Sequence, residues 1–149
     1  MSYSGKCFCG KVSFSFPYDP MLHFSCHCAN CKILFGSTLE ALVIGDSELE
    51  IKGETRSFTY EGGSGMKLHN HRCLECGTVI YNNPELLEGV IYLPAGLLAG
   101  QIQFKPKMEI WSLNKPSTLT TPASVVESFE DNGTVERITE LLENLDQRQ

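Results

Sequence analysis

Several features that mark whole classes of protein are missing from this sequence of 149 residues. It has no run of roughly 18 apolar residues, the length of a membrane span, and its opening Met-Ser-Tyr-Ser-Gly-Lys-Cys has no apolar stretch of signal-peptide length. It also lacks a basic stripe, since 12 Lys and Arg stand against 18 Asp and Glu, for a formal net charge of −6. We therefore expect a cytoplasmic protein that binds neither membranes nor nucleic acid.

Cysteine, by contrast, is plentiful, with seven residues in three short groups. In a cytoplasmic protein, clustered cysteines more often hold a metal or take part in catalysis than form disulfides. The odd count and the C-x-C spacing weigh further against disulfides, because bridging so short a loop strains the bond. A closed structural zinc site takes four ligands and a catalytic one takes three. Seven cysteines therefore predict two zinc ions per chain, one of each kind.

The first and last cysteine pairs share a pattern, because a glycine directly follows each of them. Glycine allows the positive φ that a sharp turn around a metal requires. Four thiolates from two such turns would make a tetrahedral structural zinc site and close a loop of about 60 residues. The alternative, ordinary buried cysteines, fits the matching glycines less well. The predicted ligands of this site are Cys7, Cys9, Cys73 and Cys76.

The central group, Cys26, Cys28 and Cys31, places three thiols within six residues. Three thiolates on one zinc leave a position open for water or substrate, so this group is the predicted catalytic site. Zinc there could hold an incoming thiol as thiolate or polarise a carbonyl. Two alternatives stay open: a metal-free cluster of redox-active thiols, or a closed site with a histidine as fourth ligand. The candidate histidines are His23, His27, His69 and His71.

The remaining pattern predicts a mostly-β protein of one domain over residues 1–149. Val12, Phe14 and Phe16 alternate with serines as in a half-buried strand. Residues 39–44, 57–61, 66–71, 78–81, 89–93, 102–104 and 107–112 are further predicted strands, with a glycine-rich hairpin tip at 62–65. Only the end is helical in pattern, with apolar residues at helical spacing from Val135 to Leu145. Asn132 or Thr134 is the predicted cap.

The order of these residues resembles a known family, that of glutathione-dependent formaldehyde-activating (GFA) enzymes and CENP-V proteins. The resemblance covers residues 5–112, leaving a C-terminal loop and helix over 113–149. It departs from the common family pattern at Lys32, where Arg or Gln is frequent, and at Arg72, where many members have an aromatic residue. The segments that carry it are Gly5-x-Cys7-x-Cys9-Gly10-x-Val12, Cys26-His27-Cys28-x-x-Cys31, Gly36-Ser37 and Cys73-x-x-Cys76-Gly77-Thr78.

The resemblance implies a β-tent of small antiparallel sheets pinned by zinc. It implies the same division of the cysteines, into a structural set and a catalytic set, that their spacing predicts. It also implies a carbon–sulfur lyase activity in which a thiol such as glutathione and a small aldehyde such as formaldehyde join as S-(hydroxymethyl)glutathione. Two other functions stay open: a non-catalytic zinc module that binds proteins, and a zinc–thiolate redox sensor. The sequence predicts no oligomeric state.

Overall fold

The computed structural model describes residues 2–148 and shows a mostly-β protein, as predicted. Two α-helices accompany eleven strands in this part of the chain, α1 (Ala29–Phe35) and α2 (Val135–Asn144). The strands are β1 (Tyr3–Lys6), β2 (Ser13–Phe16), β3 (Leu22–Cys26), β4 (Leu39–Gly45), β5 (Glu50–Lys52), β6 (Thr55–Glu61), β7 (Lys67–Cys73), β8 (Val79–Pro84), β9 (Val90–Pro94), β10 (Met108–Ile110) and β11 (Glu127–Ser128).

The strands form two sheets. The smaller has the order β1-β2-β5 and the larger the order β11-β10-β3-β4-β9-β8-β7-β6. The expectation of purely antiparallel sheets is wrong at one place, because β10 runs parallel to both β3 and β11. Parallel neighbours need a long crossover, and the chain from β4 to β9 supplies it between β3 and β10. This arrangement places Ile110 beside Cys26, the first cysteine of the central group.

Alternation along β4 divides the apolar residues between two cores. Leu42 and Ile44 face the small sheet and pack with Phe14 and Phe16 of β2. Ala41 and Val43 face the other side, where they belong to a second cluster with Phe24, Met108 and Leu141 of α2. Because successive strand residues point to opposite faces, one strand can serve both cores. The second face of the large sheet is the one that carries the central cysteines.

The C-terminal helix is confirmed, and Thr134 caps it by accepting a hydrogen bond from the Arg137 backbone N–H at 3.2 Å. Ile138 and Leu141 are its buried residues. The expectation of a single helix is wrong, because α1 follows directly after Cys28 and ends at Gly36 with φ of 77°. Seven residues are too few to show helical periodicity in a sequence.

The predicted strand over 102–104 is also absent, since the segment is irregular. Ile102 and Phe104 nevertheless pack against the first core, which explains their apolar pattern without a strand. No helix within residues 2–148 has the length and apolar character needed to cross a membrane.

Candidate functional site

Cys7 and Cys9, two of the four predicted structural ligands, lie on the loop after β1. Of the other two, Cys73 is the last residue of β7 and Cys76 lies on the loop after it. Their four sulfur atoms lie within 4.8 Å of one another, and we call them the outer cluster. The Cys7 and Cys9 Sγ atoms are 3.5 Å apart, and those of Cys9 and Cys73 are 3.8 Å apart. Cys7 and Cys73 are buried, whereas Cys9 and Cys76 are exposed.

Both loops of the outer cluster turn in the same way. The Gly10 N–H donates to the Cys7 carbonyl at 3.1 Å, and the Gly77 N–H donates to the Cys73 carbonyl at 3.0 Å. Gly10 has φ of 80° and Gly77 has φ of 76°, as their positions after the cysteine pairs predict. Thr78 joins the two loops, because its hydroxyl accepts from the Phe8 N–H at 3.2 Å.

The geometry of the outer cluster suits zinc. Zn–S bonds of about 2.3 Å in a tetrahedron place the sulfur atoms about 3.8 Å apart, which matches the 3.5 Å and 3.8 Å separations. The Thr78 hydroxyl lies 3.1 Å from the Cys76 sulfur and is the main reason that the pKa of this thiol falls to about 5. A lowered pKa favours the thiolate, which is the form that binds metal.

The central cysteines, called the triplet below, also meet in space, with their sulfur atoms within 4.8 Å of one another. Cys26 ends β3, Cys28 is the N-cap of α1, and Cys31 lies in the first turn of that helix. The Cys28 sulfur accepts from the Cys31 backbone N–H at 3.3 Å, in the place that a Ser or Asp oxygen takes in ordinary caps. The compact strand-to-helix turn thus brings the three thiols together.

Charge in the triplet concentrates on Cys28. Hydrogen bonds from the Cys26 and Cys31 thiols, followed by backbone N–H groups at the start of α1, lower the pKa of Cys28 to about 3. Hydrogen bonds with the Cys26 and Cys28 sulfur atoms, followed by burial, raise the pKa of Cys31. Three soft sulfur ligands in one small space are the donors that zinc prefers. Each cysteine cluster could therefore hold a metal ion such as zinc.

None of the histidines joins a cysteine cluster within the described residues 2–148. The buried His23 ring stacks on Phe104 at 5.7 Å, and its Nδ1 accepts from the Lys105 N–H. His69 lies between Thr59 and Glu85. His71 stacks on a tyrosine with ring centroids 4.2 Å apart. This placement counts against the alternative of a histidine as fourth ligand of the triplet.

His27 turns away from the triplet into a buried polar group. Its Nδ1 lies 2.8 Å from the Thr38 hydroxyl, and its Nε2 lies 3.2 Å from Oε2 of Glu109. Both the histidine and the glutamate are almost fully buried. With Nε2 donating to the carboxylate, Nδ1 of a neutral ring accepts from Thr38. Glu109 thereby fixes the ring that lies between two triplet cysteines.

Glu109 also anchors the chain that follows β10. Its Oε1 accepts from the Ser128 hydroxyl at 2.8 Å, the Thr121 hydroxyl at 3.0 Å and the Lys115 ammonium at 3.3 Å. Burial alone would raise the pKa of this carboxyl, but hydrogen bonds from Ser128, Thr121, His27 and Lys115 outweigh it and lower the pKa. The buried carboxylate thus joins the loop over 115–128 to the triplet.

A cavity of about 90 Å³ lies directly beside the triplet. Trp111 forms part of its wall and has φ of 57°, a strained value that its N–H stabilises by donating to the Asp131 carbonyl. The backbone of Gly63, at the tip of the β6–β7 hairpin, packs against the indole. The other lining residues are Phe24, Cys26, Cys28, Asn30, Cys31, Leu39, Tyr60, Gly62, Ser64, Lys67, Leu68, Asn82, Pro84, Leu86, Tyr92, Ile110 and Asn132.

Sequence reasoning missed Glu109, Trp111 and the asparagines around this cavity. One signal was available for Glu109, since it stands alone among the apolar residues of a short predicted strand. Strand alternation would have placed the Glu109 side chain on the opposite face of the strand from Met108 and Ile110. Nothing local, however, shows that its hydrogen-bond partners lie 6 to 82 residues away.

Comparison with known proteins identifies the family of the chain. The family described as "Glutathione-dependent formaldehyde-activating enzyme" matches residues 2–114. A crystal structure of a Rhodobacter sphaeroides protein is similar over 66% of this chain and 89% of its own, with 19% identity and a TM-score of 0.49. No curated protein matches the sequence. Because the family match spans most of the chain and includes all seven cysteines, the protein belongs to the glutathione-dependent formaldehyde-activating enzyme family.

Proposed function

We propose that the protein is a zinc-dependent carbon–sulfur lyase that makes or breaks the bond between a thiol, such as glutathione, and a small aldehyde, such as formaldehyde. In this proposal the triplet holds a catalytic zinc and the outer cluster holds a structural one. Two observations support the proposal: the family description names glutathione and formaldehyde, and the chain carries two cysteine clusters that could each hold a metal ion.

The observation that carries the proposal is that the cluster beside the cavity has three cysteine ligands, whereas the outer cluster has four. The outer cluster has four sulfur atoms, enough to complete a tetrahedral zinc. The triplet has three, and all three of its cysteines line the cavity. A zinc ion on three ligands keeps one position for a substrate atom, and here that position would face the cavity.

Bound zinc would stabilise the sulfur of a thiol as thiolate or withdraw electron density from an aldehyde oxygen. The residues of the chain hold and surround the reactants. Burial raises the pKa of the Tyr60 and Tyr92 phenols, so their rings form an uncharged wall. In the reaction, the thiol sulfur bonds to the aldehyde carbon, the π bond of the carbonyl breaks, and the thiol proton moves to the oxygen.

The test uses the zinc-loaded protein with glutathione and formaldehyde. Exchange NMR measures the rate of adduct formation and decay, which we expect to exceed the uncatalysed rate severalfold or more. Cys28→Ser removes one triplet ligand and is expected to return the rate to background. Ser37→Ala, an exposed change just beyond α1, is the matched control and is expected to keep the full rate. Two bound zinc ions without any rate above background would contradict the proposal.

A further inference from the structure

A chain of amide hydrogen bonds crosses β7 and β8 beside the cavity. The Arg72 guanidinium donates to Oδ1 of Asn70 through Nε at 3.1 Å and through Nη2 at 2.7 Å. The Asn70 Nδ2 in turn donates to Oδ1 of Asn82 at 2.7 Å. A guanidinium has only donors, so the Asn70 atom that faces it must be the oxygen. Arg72 thereby sets the orientation of both amides.

The Asn82 amide, the last in this chain of hydrogen bonds, faces the cavity with its nitrogen. Asn82 is only 3% exposed, and its Nδ2 has no hydrogen-bond partner within the described residues. Every fully buried polar side-chain atom in the same part of the chain does have a partner. The nitrogen must therefore touch accessible space, and Asn82 lines the cavity. Its N–H groups are a fixed pair of donors close to the triplet.

The walls around this donor are mainly apolar. Phe24, Tyr92 and Ile110 line the cavity, and they also line a second cavity of about 50 Å³ that reaches α2. Apart from the cysteines, Lys67 is the only charged residue among those of residues 2–148 that line the cavity. The second cavity adjoins the first, because Leu86 and Asn132 also line both. Joined by a ligand, the two volumes of about 90 Å³ and 50 Å³ would approach the roughly 150 Å³ of apolar space that holds a benzene molecule. Formaldehyde, with two heavy atoms, would leave most of this space empty.

Resting on the function proposed above, we infer that the cavity binds an aldehyde whose apolar body, about the size of a benzene ring, extends into the second cavity. The aldehyde oxygen accepts a hydrogen bond from Nδ2 of Asn82, and the apolar body lies against the aromatic wall. A donor already oriented toward an oxygen that gains negative charge during thiol addition stabilises that charge without rearrangement. In the addition, the C–S bond forms as the π bond of the carbonyl breaks, and the proton of the S–H bond moves to the oxygen.

The binding test uses an unreactive mimic, benzamide, on the zinc-loaded protein. Trp111 is the single tryptophan of the chain and lines the cavity, so its fluorescence reports occupancy. We expect benzamide to change the fluorescence saturably and acetamide, which has the same carbonyl group without the ring, to bind at least ten-fold more weakly. Equal binding of the two amides would overturn the inference.

Asn82→Asp is the sharpest variant, because one carboxylate oxygen can still accept from Asn70 while the other replaces the donor in the cavity. We expect benzamide binding to weaken by about three- to ten-fold or more, the effect of one lost hydrogen bond. Asn83→Asp is the matched control, since Asn83 is the next residue of β8 and does not line the cavity. Unchanged binding in a folded Asn82→Asp protein would overturn the inference.

A measurement on the unmodified protein guards against a variant that fails to fold. The side-chain ¹⁵N–¹H₂ signals of Asn82 are expected to shift on addition of benzamide while those of Asn83 stay in place, and stationary Asn82 signals would overturn the inference. Adduct assays with benzaldehyde and formaldehyde then separate the two proposals. Catalysis without benzamide binding rejects the cavity assignment alone, whereas benzamide binding without adduct formation from either aldehyde rejects the proposed function alone.

Discussion

The two cysteine clusters use the same ligand atom but occupy different positions in the fold. The outer cluster joins two loops whose contacting cysteines, Cys9 and Cys73, are 64 residues apart. The triplet is local, since all of its cysteines lie within one strand-to-helix turn. One cluster therefore ties distant segments together, while the other presents its sulfur atoms to a cavity. This difference predicts that loss of the outer cluster unfolds the protein, whereas loss of the triplet removes its chemistry.

The surroundings of the clusters support this division. Cys7 and Cys73 of the outer cluster belong to the core between the two sheets. Around the triplet, Glu109 and its partners hold the neighbouring His27 in place by hydrogen bonds that need no metal. A metal that closes a long loop restricts the unfolded chain, whereas one held by a short segment does so far less. The triplet segment should therefore keep its shape when its metal is removed.

The largest expected effect is that of Cys76→Ser on folding. We expect the variant to lose the outer zinc and its cooperative unfolding transition. Structural zinc contributes about 10–16 kcal/mol in small zinc-binding domains, as much as the whole stability of a typical protein. Thermal melts followed by circular dichroism, together with zinc content, measure this loss. Cys28→Ser is the control, and a Cys76→Ser protein that melts as sharply as the unmodified one would reverse the assignment of the two clusters.

The next prediction concerns the order in which zinc leaves. During titration with a mild chelator, we expect one zinc per chain to leave first, since a site with three protein ligands and one exchangeable position is easier to attack. Adduct formation should fall to background at this step while the circular dichroism spectrum stays unchanged. The second zinc should leave only as the protein unfolds. Simultaneous loss of both ions would remove the distinction between the clusters.

Local sequence pattern was sufficient to predict both clusters and the C-terminal helix. The cysteine spacing and the glycines after the outer pairs are short-range features, and Gly10 and Gly77 adopt the positive φ that their positions indicate. The apolar spacing of α2 extends over enough residues to show a helical period. In each case the information lies within about a dozen neighbouring residues.

The cavity and its polar partners could not be predicted in this way, because they depend on strand order. Asn82 meets Asn70 only because β7 and β8 pair with these residues in register. Ile110 reaches Cys26 through the unexpected parallel pairing of β10 with β3. Burial of Glu109 likewise depends on a loop that folds back from 115–128. Long-range pairing leaves no local pattern in the sequence, so the shape of the site became visible only in the structure.

A smaller effect is expected from Glu109→Gln, which tests how the triplet is supported. The amide nitrogen of glutamine would replace one carboxylate oxygen and face a group that now donates a hydrogen bond to that oxygen. A buried donor would then lack an acceptor, which costs about 1–3 kcal/mol of stability. We expect the free energy of unfolding, measured with urea, to fall by this amount. Glu85→Gln is the control, because its pairing with His69 is partly exposed and such pairs contribute about 0–1 kcal/mol. Equal effects of the two substitutions would mean that the buried network does not support the triplet.

The smallest expected effect is that of replacing one glycine beside each cluster with alanine. Gly77 follows the outer cluster and Gly36 ends α1 beyond the triplet, with φ of 76° and 77° and no atom within 4 Å of an added Cβ. Alanine at either position therefore adds only backbone strain, about 1–2 kcal/mol, to the folded state. We expect similar losses in unfolding free energy, with Gly96→Ala, at an open position, as control. Only Gly77→Ala should speed zinc release from the outer cluster, because Gly77 forms the turn that joins the ligands Cys73 and Cys76 to Thr78. Faster release in Gly36→Ala instead would show that the triplet, too, depends on its turn to hold metal.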